Sequence, residues 1–385
     1  MRFLGYRRKN GTTGIRNKVL ILPTVSCSAE VANIISNQVY GTVAIQNHLG
    51  CGQIGKDLEM TRRTLKGLAI NPNIFGVIVL GLGCETVRPD SIASEIAKSG
   101  KPVEVVTVQH EGGTLNATLK GVRLAMKMVQ AMSLENKVEC DISELVLAVE
   151  CGGSDPTSGI IANPVTGLIA DRIVQLGGTV ILSETTEFIG AEHILARRGK
   201  NPEVSRMIFD IVNQVEERAK YIGADIKGGN PSPGNIEGGL STLEEKSLGC
   251  IHKAGSSVVN EVLPYAQIPS EKGLVIMDSP GFDVDSVTGM VASGAQLCLF
   301  TTGLGTGVGN PIAPVIKMTG NPETFKKMED NIDINAGQII EDKMPLQEFS
   351  DKVFAGIIDV LNGKMTKAEV LKFSEASIWR CGTSF

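Results

Sequence analysis

The chain has 385 residues, 42% of them hydrophobic, enough for more than one folded core and against global disorder. Its 37 Lys and Arg against 42 Asp and Glu leave a formal charge of −5, which argues against nucleic acid as a partner because phosphate binding needs a basic face. No apolar run approaches the roughly 20 residues that span a bilayer, and the opening MRFLGYRRKNG has no apolar stretch of signal-peptide length. A cytoplasmic protein without membrane contact is therefore expected, its eight cysteines reduced.

NKVLILP (17–23) reads as a buried strand, followed by a helix near 28–38. GTVAIQ is a second strand, with a helix across 55–68. IFGVIVLGL (74–82) is the clearest strand; PVEVVTV follows, then a helix over about 114–132. Apolar strands alternating with amphipathic helices point to a parallel sheet covered on both faces. The polar SLENKVECDIS (133–143) reads as a joint, giving an N-terminal α/β domain over 1–138 and a C-terminal catalytic α/β domain over 139–385. ELVLAVE (144–150) and GTVILS (178–183) open further strand–loop–helix rounds. The charged, mostly helical 184–235 ends in GGNPSPGN, too rich in Gly and Pro to continue a helix, so a further division near 230–270 is compatible with the pattern. GLVIMDSPGFD (273–283) and AQLCLFTTGLGTGVGNP (295–311) again run from strand to glycine loop, and 346–376 is helical. The expected fold class is α/β, with parallel sheets covered by helices in two or three subdomains. No fixed period repeats, which excludes a solenoid.

In open α/β sheets ligands bind where strand C-termini converge, and loops there present N–H groups to anions. TTGLGTGVGN lacks the Gly-Lys-Ser/Thr ending of a P-loop and the acidic residue of a dinucleotide fingerprint. Its glycines serve either backbone geometry alone or a cradle for a small carboxylate, sulfonate or phosphate. Of the four histidines, His48 stands out, three residues before Cys51 in a glycine loop; His193 lies among charged residues, and His110 and His252 carry less signal. Cys51, Cys84 and Cys151 each follow a separate strand. They are either small residues in tight turns or three thiolates meeting at one metal, Fe²⁺ or an iron–sulfur cluster. Cys298, inside AQLCLF, reads as core. Lys246 follows the turn formers Asn230, Ser232 and Asn235, and is either a solvated helix residue or a clamp for a substrate anion.

GYRRKNGTTGIRN, NHLGCG, GLGCE, ECGGSDPTSGIIANP, GAEHILARR, NPSPGNIEGGLSTLEEKSLG, SVTGMVA, FTTGLGTGVGNPIAPVIK and DINAG, in this order, resemble the altronate/galactarate dehydratase family of sugar-acid lyases, which has a sulfolactate sulfo-lyase branch. The resemblance covers nearly the whole chain. It implies an iron-dependent β-elimination, removing water from a sugar acid such as D-altronate to give a 2-keto-3-deoxy acid. In that reading Cys51, Cys84 and Cys151 hold the iron, and His48, His193 or Lys246 is the base that takes the C2 proton. The substrate carboxylate is anchored by Arg16, Lys246 and the loops 152–155 and 303–309, with Ser154, Asp155, Asn235, Thr302, Gly303 and Gly305 lining the site. The first two thiols favour the dehydratase side over the sulfo-lyase side. Leu304 stands where family dehydratases carry an arginine, which weakens the case for a doubly acidic substrate such as galactarate. Fused members have a small domain before GYRRKNG, so a separate small subunit in an oligomeric enzyme is expected. The alternatives are a (2R)-sulfolactate sulfo-lyase releasing sulfite and an anion-binding regulator that has lost catalysis.

Overall fold

The computed structural model describes residues 1–382 and 385. The chain opens with a ribbon in which β1 (Arg2–Arg7) pairs antiparallel with β2 (Thr13–Gly14). Next come β3 (Lys18–Pro23), β4 (Thr42–Ala44), β5 (Ile74–Gly81) and β6 (Val103–Thr107), all parallel in the order β4-β3-β5-β6. Strand β7 (Val138–Asp141) returns to the free edge of β1. The rest of the chain contributes β8 (Val146–Cys151), β9 (Thr179–Leu182), β10 (Val259–Leu263), β11 (Gly273–Met277), β12 (Leu297–Thr302), β13 (Val315–Thr319) and β14 (Ile334–Asn335). These seven form one parallel sheet, ordered β10-β11-β9-β8-β12-β13-β14, so the strands on either side of 230–270 share a single sheet. The α/β class with helix-covered parallel sheets is what the alternating pattern calls for.

The strands read as unbroken apolar runs because both faces of each sheet are covered. In β3, Val19 and Ile21 pack outward under the helices Ala29–Gln38 and Thr114–Met132. Leu20 and Leu22 turn inward and share a core with Ala148, Ile181 and Phe300 of the larger sheet. Strand β8 continues the layering, since Leu147 and Val149 face a third core built with the helices Asn163–Gln175 and Leu346–Leu361. Cys298 is fully buried in β12, as its apolar setting suggests. Among the described residues no helix is long and apolar enough to cross a membrane.

The C-terminus departs from the helical expectation for 346–376. A helix runs over Leu346–Leu361 and a short one over Lys367–Val370, after which the chain becomes a non-helical strap. Phe373 packs against the glycine loop so closely that a Cβ at Gly309 would lie 2.7 Å from its Cβ. Glu375 accepts a hydrogen bond from Gly309 N at 2.9 Å, and Cys381 N reaches Asp57 Oδ1 at 2.8 Å. A helix continuing past 370 could not make these contacts.

In the larger sheet the chain leaves β8 for β9 on one side and later returns to β12 on the other. The C-terminal ends of β8 and β12 therefore flank the crevice in which open α/β sheets bind their ligands.

Candidate active site

Two loops are stitched together at that crevice. Gly153, at φ +60°, presents its carbonyl to Gly303 N at 3.1 Å and Leu304 N at 2.8 Å. Asp155 Oδ1 accepts from Thr157 Oγ1 at 2.6 Å and Ser158 N at 3.0 Å, and its Oδ2 from Asn321 Nδ2 at 3.0 Å. Position 303 must be glycine, since a Cβ there would sit 2.3 Å from Asp155 Oδ1. Thr302 Oγ1 accepts from Gly305 N at 2.9 Å, and Asn235 Nδ2 donates to Ser154 O at 2.9 Å, tying in the 230–238 segment. Ser154, Asp155, Asn235, Thr302, Gly303 and Gly305 thus come together. Asp155 and Asn235 spend their polar atoms on shaping the rim.

Beneath this rim lies a buried cluster of charge. Glu150 and Lys253 are 0% exposed and Glu184 is 1% exposed. Lys253 Nζ donates to Glu184 Oε2 at 2.6 Å, Cys250 Sγ at 2.8 Å and Cys151 Sγ at 3.1 Å, while the two sulfurs stand 3.5 Å apart. Burial opposes charge on Lys253, but the sulfurs and the carboxylates of Glu184 and Glu150 hold its ammonium well above the ordinary lysine value. The shared contact with Cys250, together with burial, pushes the Cys151 thiol well up. Glu184 occupies the left-handed region at φ +68°, a conformation that costs a non-glycine residue energy and that clusters at functional sites. Its N–H is fixed by Ser279 Oγ at 2.8 Å. Glu150 Oε2 accepts from Ser286 Oγ at 2.6 Å and Ser183 Oγ at 3.2 Å.

Further out, Lys246 Nζ donates to Asn230 Oδ1 at 2.8 Å and Glu187 Oε1 at 3.1 Å. Its burial works against the charge, but Glu187 outweighs this and raises the lysine above its usual value. Half-buried Asp283 is pushed up to about 7 by burial and by the charges of Glu184 and Glu187. Burial, then the charge of Glu184, raises Glu150 well above the carboxylate range. A cavity of about 270 Å³, lined by Asp155, Lys246, Cys250 and His252 among others, opens beside the cluster. Lys246 contributes to the wall of that space.

The other residues singled out from the sequence are distributed differently. His48 is exposed on the loop after β4, with Asp285 and Arg380 as its charged neighbours; burial of part of the ring holds it below the usual histidine value. Asp285 lies on the helix Asp283–Ala292. His193 is exposed on the short helix Glu192–Ala196. Arg16 is no substrate anchor. Its guanidinium donates to Glu369 Oε1 at 2.7 Å and Oε2 at 2.8 Å, Val360 O at 2.9 Å, Ile15 O at 3.0 Å and Lys364 O at 2.8 Å. Five N–H groups meet five acceptors, and none is left for a ligand.

The structure does not gather Cys51, Cys84 and Cys151. Cys51 and Cys84 are exposed on loops after β4 and β5 of the smaller sheet, while Cys151 ends β8 of the larger one and is buried against Cys250. Among the described residues, the groups close enough to share a cation are Cys151, Glu184 and Cys250, and Glu150, Glu184 and Asp283. Sequence reading missed Glu150, Glu184, Glu187, Cys250, Lys253 and Asp283 as a group. One signal was there: Glu150 lies one residue before the end of an otherwise apolar strand, where a carboxylate is costly without a purpose.

Residues 142–384 match the family described as D-galactarate/Altronate dehydratase, C-terminal, and residues 5–133 match D-galactarate dehydratase/Altronate hydrolase, second domain. The chain is 38% identical to the (2R)-sulfolactate sulfo-lyase subunit beta of Chromohalobacter salexigens, over 98% of this chain and 97% of the relative. It is 35% identical to the altronate dehydratase of Bacillus subtilis, over 99% of this chain and 78% of the relative. It is also 35% identical to the galactarate dehydratase (L-threo-forming) of Escherichia coli, over 94% of this chain and 73% of the relative. With both matches spanning most of its length, the chain belongs to the D-galactarate/altronate dehydratase family.

Proposed function

We propose that this protein is a lyase that eliminates a β-substituent from a small hydroxy acid, its leading reaction the dehydration of an aldonate such as D-altronate to a 2-keto-3-deoxy acid. The observation that carries this reading is Lys246, a raised ammonium on the wall of a small cavity next to buried carboxylates. Lys246 binds the substrate carboxylate and stabilises the charge that grows on it as the C2 proton leaves. A lysine held protonated is a poor base, so that role falls to His48, whose depressed value keeps the imidazole neutral near pH 7.

Iron(II) belongs to this proposal. The three-thiol arrangement does not suit it, since Cys51 and Cys84 lie on the other sheet and Lys253 already sits between Cys151, Cys250 and Glu184. The carboxylates Glu150, Glu184 and Asp283 do suit it, and a bound ion there supplies Lewis acidity toward the substrate's oxygens.

A second reading, release of sulfite from (2R)-sulfolactate, is supported by the 38% identity to a sulfo-lyase beta subunit. That relative is named a subunit beta, which supports a separate small subunit as a partner of this chain. One assay separates the readings: the chain, alone and with a co-expressed small subunit, is given altronate or sulfolactate while keto acid and sulfite are measured. Keto acid from altronate supports the first reading and sulfite the second; neither product from either acid overturns both. Lys246→Met is expected to lower kcat/KM of the folded enzyme at least 100-fold, reflecting loss of one charge-stabilising contact, and to lower the melting temperature because buried Glu187 loses its counter-charge. Activity within threefold of wild type would remove Lys246 from the mechanism.

A further inference from the structure

We propose that Glu150, Glu184 and Asp283 form a binding site for one hard divalent cation, built on carboxylate oxygens and independent of the cysteines. One oxygen from each of the three residues lies within 4.8 Å of the other two. They come from three separate segments, the end of β8, the turn after β9 and the first turn of the helix Asp283–Ala292.

Both glutamates have the same division of labour. Glu150 Oε2 is held by the hydroxyls of Ser286 and Ser183, while Oε1 is buried with no partner. Glu184 Oε2 is held by Lys253 Nζ and by Cys151 N at 3.1 Å, while Oε1 is buried with no partner. Leaving a buried carboxylate oxygen unpaired is costly, and here the two atoms belong to neighbouring side chains of one carboxylate cluster. One oxygen fixed by hydrogen bonds and the other left open is how a protein orients a monodentate carboxylate ligand.

Charge balance points the same way. Glu150, Glu184, Glu187 and Asp283 face the ammoniums of Lys246 and Lys253, so with all groups ionised two negative charges remain in excess. Either two protons or one divalent cation neutralises that excess. All-oxygen donors select Mg²⁺, Mn²⁺ or Fe²⁺ over thiophilic ions. The backbone fits closely around the ligands: a Cβ at Gly152 would lie 2.1 Å from Asp283 Oδ2.

The site deepens the lyase reading, but its test needs no substrate, so the two can fail separately. Chelator-stripped protein is titrated anaerobically with Mn²⁺, with free Mn²⁺ followed by electron paramagnetic resonance and the melting temperature recorded in parallel. Wild type is expected to take up one Mn²⁺ per chain and melt higher when loaded, with Mg²⁺ and Fe²⁺ competing. Glu150→Gln and Asp283→Asn should each weaken binding at least tenfold and lose the metal-dependent rise in melting temperature. Cys51→Ala and Cys84→Ala should bind as wild type does. Half-buried Asp283 gives a readable variant should Glu150→Gln fail to fold. No uptake by wild type at millimolar Mn²⁺, or uptake by Asp283→Asn equal to wild type, overturns the proposal.

Discussion

Arg16 and Lys246 show how little residue type alone decides. Both are cations beside family-like motifs. Arg16 has every N–H committed within the protein, whereas Lys246 sits on a cavity wall with two partners. The Arg16–Glu369 pair is largely buried, at 10% and 9% side-chain exposure. Arg16→Met strands Glu369 without its counter-charge and should cost about 3–5 kcal/mol of stability. Urea denaturation would register this, and KM of the folded fraction should stay at the wild-type value. A raised KM with unchanged stability would return Arg16 to substrate binding. Lys253 is another buried lysine, but its neighbours are sulfurs and the strained Glu184, which places it in the site's support.

At the scale of elements, the site depends on loops that approach too closely to carry side chains. Gly303 faces an Asp155 pinned by four hydrogen bonds from Thr157, Ser158 and Asn321, so neither side can withdraw. Gly303→Ala should destabilise the protein by about 1–3 kcal/mol through overpacking and lower kcat as the rim shifts. Gly229→Ala, at a position with nothing within 4 Å of the added Cβ, is the control and should change neither. Equal melting temperatures for both variants would show that the two loops are not rigidly coupled. The glycine loop is shaped from behind as well: Lys317 Nζ donates to Val308 O at 3.0 Å and Gly307 O at 3.3 Å, while the C-terminal strap covers Gly309. The reading of TTGLGTGVGN as backbone geometry describes its glycines at these contacts.

Across the whole molecule, the two sheets are locked by buried polar groups at their seam. Asn73 Nδ2 donates to Gln296 O at 2.9 Å and Ile312 O at 3.2 Å, and Asn71 Nδ2 to Val291 O at 2.8 Å. Lys18, at the start of β3, reaches Pro311 O at 2.9 Å. Burial lowers Lys18 to about 8, with Arg16 adding to the effect and Glu369 opposing it. The unfolded chain, with its lysine near 10.4, therefore holds a proton that the folded chain has released between about pH 8 and 10.4, and stability from this site rises with pH through that window. Relative to Lys18→Met, wild type should gain on the order of 2 kcal/mol between pH 7.5 and 10, read as the change in the difference of their urea unfolding free energies. A difference independent of pH would mean that Lys18 does not titrate on folding. The His48 loop, which follows β4 of the smaller sheet, feels the charge of Asp285 on the helix Asp283–Ala292.

By itself the sequence determined the alternation of buried strands and helices, the α/β class and the strand-end loops where chemistry belongs. Those features are local: an apolar run, a helical period and a glycine cluster are written in neighbouring residues. Only the tertiary structure decided which strand ends meet. The larger sheet sets β12 beside β8 out of chain order, pairing Gly303 with Asp155, and places Cys51 and Cys84 on the other sheet from Cys151. It also decided which charges lose their water. Glu150, Glu184 and Lys253 look like ordinary polar residues along the chain, and burial against one another is what gives them their chemistry.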